Sequence, residues 1–142
     1  MRLNKGFYIL VINVKKPVKI KIGFLGFIEF SKGKYVYIGS AMNNLIKRIK
    51  RHINSSKLKG GQDKKHWHID YLLSNDNVRI KNIYYKESQE KQECSIAKKV
   101  KEESFDEIKG FGSSDCKCES HLFNILEDRL GKIIKGFNKM KL

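Results

Sequence analysis

The sequence is poor in proline, in cysteine and in long apolar runs. It has one proline and three cysteines in 142 residues. An odd number of cysteines, with no apolar signal stretch at the N-terminus, argues against a secreted scaffold held by disulfides. No apolar run approaches the roughly 20 residues that a membrane-spanning helix needs. We therefore expect a soluble cytoplasmic protein with one domain over residues 1–142.

Acidic residues are also scarce. Fifteen Asp and Glu stand against thirty Lys and Arg, which gives a net charge of +15. This imbalance favours a polyanionic partner, with nucleic acid first and an anionic membrane surface a distant second, because no strongly amphipathic helix exposes a large apolar face. The alternative is that lysine serves only solubility, since five of the thirty basic residues are arginine.

The pattern of apolar residues predicts a mixed α/β (α+β) fold. The segments rich in apolar, aromatic and β-branched residues, typical of strands, are 6–14, 18–22, 24–30, 34–41, 78–85 and 122–125. The segments with apolar residues at helical spacing are 44–53, 67–72, 88–103 and 126–137. The first segment is apolar almost throughout and is therefore expected to be a central strand buried on both faces. Ser88 is the expected N-cap of the third helix.

Five side chains form the most informative group for chemistry. Tyr8 and Tyr37 lie on predicted strands, and Arg48 and His52 stand four residues apart on one face of a predicted helix. Glu93 falls on the apolar stripe of the helix 88–103, where an unpaired carboxylate is costly and needs a cation, either an arginine or lysine or a metal. An arginine fork, a metal-binding carboxylate and a tyrosine activated by nearby cations together suit phosphodiester hydrolysis.

These residues resemble the GIY-YIG nucleases. Gly6-Phe7-Tyr8 is similar to the first family motif with Phe in place of Ile, and Tyr37-Ile38-Gly39 matches the second. Arg48, His52 and Glu93 follow in the family's order and on the expected helices. The resemblance covers residues 6 to about 100.

The resemblance implies a central antiparallel sheet of about three strands flanked by helices, with extra strands from the insertion between the two tyrosine motifs. It also implies cleavage of DNA with one Mg or Mn ion held by Glu93. Arg48 would stabilise the transition state, and either Tyr8 or Tyr37 would activate the water. His52 would orient a tyrosine or carry a proton.

Nucleic-acid contacts are expected from two places. The first is the turn and helix after the second tyrosine motif, and the second is the end of the basic loop 54–65, although that loop could equally be only solvated. The residues assigned to these contacts are Gly39, Ser40, Lys47, Arg51, Lys64 and Lys65. DNA is the expected ligand, and RNA stays open.

The segment His66-Trp67-His68-Ile69-Asp70-Tyr71-Leu72 is not a general family motif. With the loop around Cys116, it resembles a branch of small archaeal proteins, some fused to DNA-repair glycosylases, which implies a repair role and a glycosylase partner. His66 or His68 is expected to replace a family residue that follows the arginine helix. This cluster could also bind metal or simply hold the loop by hydrogen bonds.

A zinc site is the alternative use of the cysteines. Cys116, Cys118 and His121 could supply three ligands, with the fourth from His66, His68 or Cys94. Their spacing is tighter than that of common zinc fingers, and reduced, packed thiols are the simpler interpretation. A structural zinc would suit a second function from a different class, a nucleic-acid-binding module without catalysis.

Overall fold

The computed structural model describes residues 5–57, 67–89, 93–111 and 120–140, with the backbone alone at Glu93 and Cys94. Within these ranges the fold is α+β, as predicted. The strands are β1 (Gly6–Val14), β2 (Val18–Lys21), β3 (Phe27–Phe30), β4 (Gly33–Ala41), β5 (Val78–Glu87), β6 (Asp106–Glu107), β7 (Leu122–Ile125) and β8 (Asn138–Met140). The α-helices are α1 (Leu45–Lys57), α2 (His68–Leu73), α3 (Glu93–Glu103) and α4 (Leu130–Ile133).

Six strands form one antiparallel sheet in the order β6-β7-β4-β1-β5-β8. The prediction that β1 is central and buried on both faces is confirmed. The prediction of about three strands is wrong in number, because β4, β1 and β5 are extended by three strands from the second half of the chain. Those strands are two to four residues long, too short for an alternating pattern to identify them all.

The insertion between the tyrosine motifs does add strands, as expected. β2 and β3 pair with each other in a separate two-stranded sheet, joined through a short 3₁₀ turn at Gly23–Leu25. Val18, Ile20 and Ile28 of this hairpin pack against the main core. The hairpin is therefore a projection anchored on one face of the large sheet.

The large sheet has helices on both faces. Tyr8, Leu10 and Ile12 of β1 share a core with residues of α1 and α2, as their alternation predicts. Ile9 and Val11 face the other way and share a second core with residues of α3 and α4. Arg48 and His52 therefore lie on a helix that covers the tyrosine face of β1.

Three predicted helix boundaries are wrong. α1 continues to Lys57, four residues into the segment 54–65 that is predicted to be a loop. Ser88 lies outside α3, and its backbone N–H donates to the carbonyl oxygen of Lys5, which ties it to the start of β1. The predicted C-terminal helix is only four residues long, and the chain then turns at Gly136, which has a φ of 87°. After this turn, β8 pairs with β5, and Met140 packs against the tyrosine-face core.

No helix in the described part of the chain is long and apolar enough to cross a membrane.

Candidate functional site

Tyr8 and Tyr37 come together on one face of the sheet. Tyr8 lies on β1 and Tyr37 on the adjacent strand β4, and their ring centroids are 6.5 Å apart. Both rings are buried, with 2% and 7% of their surface exposed. The two tyrosines that sequence analysis selected are thus direct neighbours.

The glycines of the two motifs are required by close packing. Gly39 is the cross-strand partner of Tyr8, and a Cβ at Gly39 would overlap the Tyr8 ring and its hydroxyl. A Cβ at Gly6 would overlap the carbonyl oxygen of Lys86 on β5. Gly39 therefore lets the Tyr8 ring lie across β4, and Gly6 lets β5 approach β1 closely.

Asn44 fixes the start of α1 and so the position of its functional side chains. Its φ is 47°, a left-handed conformation that Asn tolerates better than most residues. The Asn44 side-chain oxygen accepts the N–H of Lys47 at 3.0 Å, and its carbonyl accepts the N–H of Arg48 at 3.3 Å. Arg48 and His52 then follow on successive turns beside the sheet.

His52 is the centre of the cluster. It is fully buried, its Nε2 shares a 2.6 Å hydrogen bond with the Tyr8 hydroxyl, and its ring contacts those of Tyr8 and Tyr37 at 5.2 and 6.2 Å. Burial lowers the pKa of His52 from 6.5 to about 4; the charge of Asp70 opposes this shift, while Arg51 and Arg48 add to it. His52 is therefore neutral at pH 7. Its Nδ1 has no hydrogen-bond partner among the described residues.

Arg48 is held at the edge of this cluster. One of its terminal nitrogens, Nη1, donates to the carbonyl oxygen of Ser40 at 2.9 Å, and the guanidinium lies 4.7 Å from the ring centre of Trp67. A guanidinium has five N–H donors, so one bond to Ser40 leaves donors for an anion. The site thus presents a fixed, half-buried positive charge next to Tyr8 and His52.

Trp67, Arg51 and Asp70 form a support behind Arg48. Arg51 donates two hydrogen bonds of 3.1 Å to the buried carboxylate of Asp70, and its guanidinium lies 4.1 Å from the Trp67 ring centre. Asp70 also accepts the backbone N–H of Trp67 at 2.9 Å, which fixes the start of α2. The indole of Trp67 therefore lies next to both arginines and to the His52 ring, whose centre is 5.9 Å from the Trp67 ring centre.

His68 lies one side chain away from the tyrosines. Its ring is 5.6 Å from Phe111, and Phe111 is 6.0 Å from Tyr37. Partial burial lowers the pKa of His68. Its catalytic role stays a prediction, and His66 lies outside the described residues.

Glu93 occupies a different place from the other four candidates. It begins α3, whose Ala97 and Val100 pack on the sheet face opposite to α1. The sheet therefore lies between the helix that contains Glu93 and the helix that contains Arg48 and His52. Its side chain lies outside the described part, so metal binding by Glu93 stays a prediction.

The predicted nucleic-acid contacts differ in accessibility. Lys47 is exposed, whereas Gly39 is buried and Ser40 half-buried. Both terminal nitrogens of Arg51 already bind Asp70. Lys64 and Lys65 lie outside the described residues. DNA contact by all six residues stays a prediction.

The zinc alternative also stays a prediction. Cys116 and Cys118 lie outside the described residues, as does the side chain of Cys94. His121 is buried, and because a carbonyl oxygen only accepts, its Nδ1–H donates to Ile38 at 3.1 Å. A zinc ion would therefore have to bind Nε2. Within residues 5–57, 67–89, 93–111 and 120–140, no group of three or more His, Cys, Asp or Glu could hold a metal.

Sequence analysis missed the support formed by Trp67 and Asp70. The sequence predicts Trp67 in a helix with apolar residues at helical spacing, and it leaves open whether the cluster with Asp70 binds metal or holds the loop. The available signal was the acid three residues after Trp67, at the position that caps a helix start. The pairing with Arg51 carried no such signal, because it joins two separate helices.

The fold and site define an α+β protein in which a tyrosine–histidine–arginine cluster lies on one face of an antiparallel sheet. The chain matches the family model described as domain of unknown function DUF123 over residues 7–142. It therefore belongs to the DUF123 family. No curated protein and no solved structure matches it.

Proposed function

We propose that this protein is a metal-dependent endonuclease of the GIY-YIG type, which hydrolyses DNA phosphodiester bonds and acts in DNA repair. The observation that carries the proposal is the 2.6 Å hydrogen bond between Tyr8 and His52, with Arg48 beside it. The motif resemblance selects these residues, and the fold brings them together from separate segments. Polar side chains from separate segments are expected to come together in an active site, whereas burying an apolar core does not require them.

The chemistry assigned to this cluster is activation of water. In the tautomer with a bare Nε2, Tyr8 donates its proton to His52 while its oxygen takes a proton from the attacking water. The low pKa of His52 opposes this transfer, but a phosphate beside Arg48 would offset the positive charges that help to lower it. Proton uptake by His52 is therefore less unfavourable when substrate is present, although burial, the main cause of the low pKa, remains.

Arg48 is assigned to the phosphoryl oxygens. Its guanidinium is fixed by Ser40 and by the ring of Trp67, so little side-chain entropy is lost on binding an anion. Asp70, which borders the cluster, is buried and paired with Arg51, and it is not available as a metal ligand. Glu93 would hold the Mg or Mn ion, and that ion would supply Lewis-acid stabilisation of the charge on the leaving oxygen.

The decisive experiment is a nicking assay on supercoiled and branched DNA with Mg or Mn. We expect cleavage by the wild type and a loss of roughly 100-fold or more in Arg48→Ala and in Glu93→Gln. Arg129→Ala is the matched control, because Arg129 pairs with Glu103 on α3, on the other side of the sheet. Normal cleavage by Glu93→Gln would show that the metal-site assignment is wrong.

A non-catalytic nucleic-acid-binding module is the second candidate. It is favoured by the burial of Tyr8 and His52, which are 2% and 0% exposed and leave little room for substrate at the hydroxyl. Intact DNA binding without cleavage on any substrate would support this module. Stoichiometric zinc by elemental analysis would support it further, in the form held by Cys116, Cys118 and His121.

A further inference from the structure

The turn between β2 and β3 exposes aromatic side chains to solvent. Phe24 has its whole side chain exposed, and Phe27 has 65% exposed. In the described part of the chain, no other large apolar residue is as exposed as these two. Exposed aromatic residues this close together on one projection indicate a contact surface, because scattered apolar residues are common but clustered ones are not.

Lysines lie beside the exposed ring of Phe27. Lys19 and Lys21 point outward from β2, and the Lys19 ammonium lies 5.6 Å from the ring centre of Phe27. Lys21 is the cross-strand partner of Phe27. The segment 15–32 contains five lysines and a single acid, Glu29. The surface is thus aromatic and cationic together, which suits stacked bases joined by phosphates.

The hairpin is anchored beside the candidate site. A Cβ at Gly23 would lie 3.5 Å from the ring of Tyr71 on α2, and a Cβ at Gly110 would lie 3.1 Å from Leu25. The next residue, Phe111, contacts the ring of Tyr37. A nucleic acid bound at Arg48 and Tyr37 would therefore pass close to the hairpin on the same face of the sheet.

We propose that the hairpin formed by β2 and β3 binds unpaired bases. Phe24 stacks on a base that is not held in a duplex, and Lys19 and Lys21 bind the flanking phosphates. Stacking on a free base requires no disruption, whereas entry into an intact duplex must first separate stacked base pairs. The preferred ligand is therefore DNA with a bulge, a branch or a single-stranded segment. This inference rests on the proposed function for the choice of DNA as the ligand.

The test measures binding with EDTA present, so that cleavage plays no part. Fluorescence anisotropy compares a fully paired duplex with the same duplex carrying one bulged base. We expect Phe24→Ala to weaken binding to the bulged DNA roughly 5- to 150-fold, with less than a twofold effect on the paired duplex. Phe105→Ala is the matched control, because Phe105 is 60% exposed but lies next to β6.

Two further readouts make the test specific. Fluorescence of 2-aminopurine at the bulge should change on binding the wild type but not Phe24→Ala. Lys19→Gln and Lys21→Gln should each reduce the slope of log binding constant against log salt by about 1.

Three outcomes would overturn the inference. The first is that Phe24→Ala binds bulged DNA as tightly as the wild type does. The second is that Phe105→Ala loses as much affinity for bulged DNA as Phe24→Ala does. The third is that binding to anionic phosphatidylserine vesicles depends on Phe24 while binding to DNA does not. If the wild type cleaves DNA but Phe24→Ala binds bulged DNA normally, the hairpin inference alone fails. If the wild type binds no DNA, both the hairpin inference and the proposed function fail.

Discussion

The Tyr8 hydroxyl and the Nε2 of His52 share a hydrogen bond of 2.6 Å across 44 residues of sequence, and both side chains are almost wholly buried. This bond joins the central strand to the helix that covers it. It also satisfies Nε2 of the buried imidazole. The other ring nitrogen, Nδ1, has no hydrogen-bond partner within the described ranges. The bond therefore serves stability and is also the centre of the proposed chemistry.

Removing the Tyr8 hydroxyl should affect both properties. Tyr8→Phe leaves a polar nitrogen of buried His52 without its partner, which we expect to lower the free energy of unfolding by about 1–3 kcal/mol. Urea unfolding measures this loss, and the nicking assay should show no cleavage. Tyr84→Phe is the control, because Tyr84 is similarly buried but packs in the core on the other face of the sheet. An equal loss in both variants would mean that the Tyr8–His52 bond contributes little.

His52 should make stability depend on pH. Its pKa is about 4 in the folded protein and 6.5 in the unfolded chain, so between these values only the unfolded chain takes up the proton. The stabilising contribution is complete above pH 6.5 and is lost as the pH falls to 4, by about 3 kcal/mol. Urea unfolding at several pH values checks this, with His52→Gln losing most of the dependence. If the stability of His52→Gln depends on pH as the wild type's does, other groups cause the pH dependence.

The ion pair between Arg51 and Asp70 should be asymmetric in its energetics. Asp70 is 1% exposed whereas the Arg51 side chain is 35% exposed. Arg51→Met strands a buried carboxylate and should cost about 3 kcal/mol of unfolding free energy. Asp70→Asn leaves an arginine that water can reach and keeps an oxygen to cap α2, so it should cost about half as much. Thermal and urea unfolding give the order, and the reverse order would contradict this account.

Gly39 should tolerate no side chain. Gly39→Ala would force the Tyr8 ring from its place on β4, so we expect a loss of about 1–3 kcal/mol in unfolding free energy and of any cleavage. Gly131→Ala is the matched control, because a Cβ there meets nothing within 4 Å in the described structure. That substitution lies in α4 and should stabilise the protein by up to about 1 kcal/mol. Urea unfolding of both variants checks the contrast.

The sequence by itself determined the elements that have long, regular patterns. The apolar run of β1, the aromatic alternation of β4 and the helical spacing of α1 were each predicted within a few residues of their observed bounds. Arg48 and His52 were expected on one helix face, because four residues make about one turn. The glycines of the two motifs were visible, although the packing of Tyr8 on Gly39 was not.

Only the tertiary structure decided which partners the polar side chains take. The bond between Tyr8 and His52, the pairing of Arg51 with Asp70 and the contact of both arginines with Trp67 join separate elements, so no local spacing predicts them. The two edge strands of the sheet, β6 and β8, were missed for a related reason, since they are two and three residues long and are stabilised by pairing with neighbouring strands. Likewise, nothing in the sequence distinguishes Phe24 from the neighbouring apolar residues, and its full exposure follows from the way the hairpin packs.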